Sequence, residues 1–107
     1  MVIMLNNGAN IVLSKHPKIV TVELYSPTMG ISHLHPRARV TTSGTDLDKF
    51  FSKDMWPITL TNLTGKGSLT ISISDGVVFL DIDRGFQAIE QYSCPVVDWP
   101  TSFDSLT

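Results

Sequence analysis

The stretch PITLTNLTGKGSLTISISDGVVFLDID, residues 57–83, reads as three antiparallel strands in succession. Asp75-Gly76 suits a type I′ turn, whose two central residues both need positive φ. A two-residue loop there sets Ser74 opposite Val77, Ile73 opposite Val78, Ile71 opposite Leu80 and Leu69 opposite Ile82. The last three pairs are all aliphatic and share one face by the alternation of a strand. A slip of one residue would bring Thr70, Ser72 and Ser74 against that face, so the register is specified by burial. A turn centred on Gly65-Lys66 is expected to place Leu60 across from Ile71 and Ile58 across from Ile73. The opposite face carries Thr59, Thr61, Thr70, Ser72 and Asp81, with Val77 and Phe79 at one end. That end is expected to be covered by the chain itself or by another molecule.

Working outward, 107 residues make one domain, long enough for a modest core without metal or disulfide support. Only 17% of residues are charged, below the roughly 25% of soluble domains. A weakly charged surface favours assembly with a partner. A net charge of −2 supplies no electrostatic footprint for nucleic acid. The single cysteine, Cys94, excludes an intrachain disulfide. No apolar run reaches membrane-spanning length, and the N-terminus lacks a basic region leading into a signal-peptide core. The expected location is a virion or the cytoplasm of a host cell, without export by a signal peptide. Asn62-Leu63-Thr64 matches a glycosylation sequon, but Asn62 is read as a strand-end residue.

Val2 to Leu5 and Ile11 to Leu13 read as two short strands joined by an Asn/Gly turn. Lys18 to Tyr25 alternates, with Val20, Val22 and Leu24 on one face. Ile31 to Thr42 reads as a strand interrupted by Pro36, with Leu34, Ala38 and Val40 inward and His33, His35, Arg37 and Arg39 outward. Asp46 to Lys53 reads as a short helix capped by Thr45 and pressing Leu47, Phe50 and Phe51 on a sheet. From Arg84 to Tyr92 a second short helix is expected, with Phe86 and Ile89 inward, and a strand is the alternative, since Gly85 and the polar composition weaken the helix. Residues 94–107 lack periodicity but carry Val96, Val97, Trp99, Phe103 and Leu106, so they are expected to lie as an extended apolar arm after a single β-rich domain at 1–93.

His33 and His35 project to the same side of a strand, so two imidazoles there are candidates to share a metal. The pair is similar to the His-x-His of cupin-type metal barrels, but no glutamate follows shortly downstream, and membership is not assigned. A third ligand is required; His16, Asp81 and Asp83 are the available residues, and nothing in the sequence brings them together. No cofactor is therefore expected. Arg37 and Arg39 are candidates to contact an anion or an acidic surface. Asp81 and Asp83 flank a core residue at a strand end, and Cys94 reads as a buried small residue. Phosphate loops, nucleophile elbows and metalloprotease helices are absent from the sequence, and no catalytic residue is expected.

The expected fold is α+β and β-rich: an antiparallel two-sheet sandwich or partly open barrel, with the central three-strand meander and one or two short helices. The expected function is that of a non-catalytic subunit of a larger assembly, in its most concrete form a bacteriophage or viral virion protein that decorates a capsid or forms part of a tail. The alternatives are a soluble inhibitor or immunity-type protein, and a small metal- or ligand-binding barrel using His33 and His35. Contacts to a partner, either a second copy or another protein, are expected through Trp99, Phe103, Leu106, Val2 and Ile3, with neither nucleic acid nor membrane involved.

Overall fold

Alternation of apolar and polar side chains, with turns that suit their residues, folds the described residues of this chain into eight strands taken in order. The computed structural model describes residues 1–26, 35–63 and 65–103. Strands β1 (Val2–Met4), β2 (Asn10–Lys15), β3 (Ile19–Tyr25) and β4 (Ala38–Ser43) form one antiparallel sheet in the order β1-β2-β3-β4. Strands β5 (Ile58–Thr61), β6 (Ser68–Ser74), β7 (Val77–Asp83) and β8 (Glu90–Pro95) form the second, in the order β5-β6-β7-β8. Helix α1 (Leu47–Phe51), flanked by 3-10 turns, carries the chain from one sheet to the other.

The β6–β7 hairpin has the expected register: Leu69 faces Ile82, Ile71 faces Leu80, Ile73 faces Val78 and Ser74 faces Val77. Asp75 and Gly76 both have positive φ, 51° and 79°, as the turn requires. Leu69, Ile71, Val78, Leu80 and Ile82 are buried, whereas Ile73 emerges at the end of the sheet. The β5–β6 pairing differs from expectation by two residues: Ile58 faces Ile71 and Leu60 faces Leu69. A longer connection than a two-residue turn joins these strands. A shift of two preserves side-chain parity, so the buried face is unchanged.

From the first sheet, Ile3, Ile11, Leu13, Val20, Val22, Leu24 and Val40 meet that face to form the core. Phe50 seals one end of it and packs against Trp99, with ring centroids 5.0 Å apart. Trp56 meets Trp99 edge-on at 5.7 Å. Each indole N–H has a backbone acceptor, Trp56 donating to the Lys49 carbonyl at 2.9 Å and Trp99 to the Phe50 carbonyl at 3.1 Å. Buried indoles need such partners.

Expectations for the helices and for the start of the arm are corrected here. The segment from Arg84 to Tyr92 is no helix. Gly85, at φ 85°, turns the chain back, and Glu90–Pro95 pairs with β7 from Ile82↔Glu90 to Val77↔Pro95. Phe86 and Ile89, expected inward, are 74% and 61% exposed. Of the strand expected over Ile31 to Thr42 and interrupted at Pro36, the part after the proline forms β4; of the inward set, Val40 is buried, Ala38 half-buried, and Leu34 lies outside the described residues. The cap at the start of the helical segment comes from Ser43, whose side chain accepts the Thr45 N–H, rather than from Thr45. Cys94 and Pro95, placed in the arm by the sequence reading, close β8.

Candidate functional site

The strand pairing places Glu90 on the inward parity of β8, beside Tyr92 and Cys94 and at an open end of the sandwich. A carboxylate there needs cations. Arg37, just ahead of β4, donates Nε to Glu90 Oε1 at 2.7 Å and Nη2 to Oε2 at 2.5 Å, a bidentate pair between the two sheets. Arg84 donates Nη2 to the same carboxylate at 3.2 Å and to the Gln87 side-chain oxygen, and Nη1 to the Arg37 carbonyl at 3.2 Å. The Tyr92 hydroxyl donates to Glu90 Oε1 at 2.9 Å. The Arg37 hydrogen bonds hold the Glu90 carboxyl below its ordinary range, and burial pushes the Tyr92 phenol up. Arg84 Nε is buried with no acceptor among the described residues, a deficit that typically costs about 1–3 kcal/mol.

Beside this cluster lies a cavity of about 220 Å³. Ala38, Val40 and Ile82 contribute apolar side chains to it; Arg37, Arg39, Lys66 and Arg84 contribute cations. The exposed Phe86 ring forms a further wall and lies 5.6 Å from the Arg84 guanidinium carbon. A broader depression of about 720 Å³ runs between the β2–β3 turn, with Lys15, His16 and Lys18, and the Ser43–Thr45 turn. There the Gly44 and Thr45 amides are already bonded within the chain, to the Lys18 carbonyl and the Ser43 hydroxyl.

The sheet edges form a second candidate surface. At the seam between β4 and β5, the Leu63 amide donates to the Thr41 carbonyl at 2.8 Å, and Asn62 Oδ1 accepts the Thr41 amide at 3.3 Å. On β8 the Ser93 amide turns away from β7 and donates to Asn6 Oδ1 at 3.0 Å. Pro95, two residues on, has no N–H to offer on that side. On β1, Met1 and Leu5 bond inward to Leu13 and Ala9. By alternation, the backbone groups of Val2 and Met4 therefore point away from β2. Among the described residues no backbone hydrogen bond reaches them, and their side chains are 52% and 60% exposed.

The structure separates the residues singled out from sequence. Val2 is exposed on the open edge, but Ile3 is buried in the chain's own core. Trp99, expected to meet a partner, is 2% exposed and packed against Phe50 and Trp56, so it is corrected to a core residue. Phe103 is half-buried beneath Lys15, whose ammonium lies 5.5 Å from the ring centroid. Leu106 and His33 lie outside the described residues, and His35 is exposed at a bend. Arg37 and Arg39 already have carboxylate partners in the chain, Glu90 and, at 2.8 Å, Glu23. Asp81 accepts from Gln91 and Asp83 from the Gly85 amide. Burial pushes the Cys94 thiol up, which disfavours the thiolate. No group of three or more His, Cys, Asp or Glu among the described residues is placed to hold a metal ion, and no helix among them is long and apolar enough to cross a membrane. Glu90, Arg84 and Lys66 carry no sequence signal for this cluster, since Glu90 and Arg84 lie in a segment whose sequence suits a helix and a strand about equally.

Comparison with protein-family models, curated proteins and solved structures finds no match to this chain. A functional reading therefore rests on its own geometry.

Proposed function

We propose that this chain is a non-catalytic interaction subunit that docks by adding a strand to β1, with a virion component as the most concrete form of the assembly. The observation that supports the reading is the contrast between sheet edges. Three edges are engaged or blunted: β4 and β5 by the Leu63 and Asn62 bonds, and β8 by Asn6 and Pro95. The fourth, β1, offers outward backbone groups at Val2 and Met4 beside two exposed apolar side chains. An open edge of this kind templates pairing with an extended segment, in the first instance the β1 of a second copy.

A proline at position 4 tests the reading, because the Met4 N–H is not used by the β1–β2 ladder. Met4→Pro should leave far-ultraviolet circular dichroism and thermal unfolding close to wild type. In light scattering across a concentration series, the wild type should associate and the variant should remain a monomer. A wild-type chain that stays monomeric throughout would reject self-pairing. A one-to-one complex with a single unrelated protein, lost in Met4→Pro, would instead favour the inhibitor-type reading of the same edge.

A further inference from the structure

We infer that the cavity between β4 and the β7–β8 loop is a binding site for a small organic carboxylate with an apolar body. Its shape and lining call for both halves of such a ligand. Ala38, Val40 and Ile82 line it with hydrocarbon, on the same face as the sandwich core, and Phe86 adds an exposed aromatic wall. A small inorganic anion would leave the exposed Phe86 ring and the half-buried Ala38 in contact with water. An uncharged apolar molecule would ignore the four cations around it.

The charge balance favours an anion. Asp83 is the carboxylate lining the cavity, and it already accepts the Gly85 amide at 2.8 Å. Glu90 and Glu23 are bound to Arg37, Arg84 and Arg39 in ion pairs. Four cations are thus set against three carboxylates, and Lys66 has no carboxylate within ion-pair distance among the described residues. An independent observation comes from Arg84. Its two terminal nitrogens are taken, but the buried Nε–H lacks an acceptor. The Phe86 ring lies over this guanidinium and is otherwise exposed. A carboxylate entering beside Phe86 would meet the Lys66 ammonium next to the Arg84 guanidinium, while its body covers Ala38 and the exposed Phe86 ring. Guanidinium groups recognise carboxylates by directional hydrogen bonds.

Benzoate is the probe, with inorganic phosphate as the contrasting anion, and binding is read by amide chemical shifts in the full chain. Saturable shifts with benzoate, centred on Ala38–Val40, Ile82 and Arg84–Phe86, are expected. Phosphate should bind about tenfold more weakly or worse, as loss of the apolar contacts implies. Removing one charged donor, in Lys66→Met or Arg84→Met, should weaken benzoate by about tenfold or more. Lys66 is exposed, so Lys66→Met keeps the test valid should Arg84→Met fail to fold. The inference is overturned if benzoate gives no saturable shift at these residues, if phosphate binds equally well, or if a folded Lys66→Met binds benzoate as the wild type does. None of these outcomes depends on the β1 edge, which lies across the first sheet from β4.

Discussion

At the scale of single residues, Glu90 shows how a strand assignment creates an electrostatic demand. Placed inward at the sandwich end, it gathers Arg37, Arg84 and Tyr92 about one carboxylate. Its carboxyl is held below the ordinary range, chiefly by the Arg37 hydrogen bonds, and Asp46 is held low by the Thr42 hydroxyl and then by Lys49. Below the ordinary carboxylate range, near pH 4, the unfolded chain binds more protons at these sites than the native one. The stabilisation they give is thus complete above that range and declines as pH falls through their lower native values. Glu90→Gln should cost about 1.5–3 kcal/mol at neutral pH, the range for hydrogen bonds to charged groups. It should also flatten the acid side of a plot of urea midpoint against pH. An unchanged acid limb would mean that the Arg37 pair contributes nothing measurable, as happens for many exposed ion pairs.

At the scale of elements, the hairpin at Asp75-Gly76 was legible because turn chemistry and an aliphatic face agree there. The β5–β6 register was not, because the glycines of that loop fit more than one turn. β8 was hidden for a different reason. Its inward residues are Glu90, Tyr92 and Cys94, so it carries no apolar alternation, and only pairing with β7 reveals it. The candidate cavity was legible only in Arg37 and Arg39, since its other cations come from loops. Trp99 was recognised as a residue that must be buried, but the sequence could not say against what. Its place between Phe50 and Trp56 makes the segment after β8 part of the core. Trp99→Ala should therefore destabilise the monomer by about 3–5 kcal/mol, the usual cost of truncating a buried Trp. Denaturant unfolding with tryptophan fluorescence measures it. A small loss together with a changed oligomeric state would return Trp99 to the role of a partner contact.

At the scale of the whole molecule, each sheet is a succession of neighbouring hairpins, so contacts within sheets are local in sequence. Joining the sheets depends on contacts of much longer range: Arg37 with Glu90, 53 residues apart, Trp99 with Phe50, 49 apart, and Asn6 with Ser93, 87 apart. The last does two things at once. It ties the β1–β2 turn to β8, and it occupies the outward amide of an edge strand whose next outward position is Pro95. The same bond thus helps leave β1, and not β8, as the edge open to a partner. Asn6→Ala removes the acceptor without touching the core, as Asn6 is itself exposed. A net hydrogen bond of about 0.5–1.5 kcal/mol corresponds to roughly two- to tenfold faster amide exchange at Ser93. Amides in the β6–β7 ladder should keep their protection, because that hairpin does not depend on the seam. If Ser93 exchange is unchanged, something other than Asn6 closes this edge. If β6–β7 protection falls equally, the two sheets open as one unit and the seam is integral to global stability.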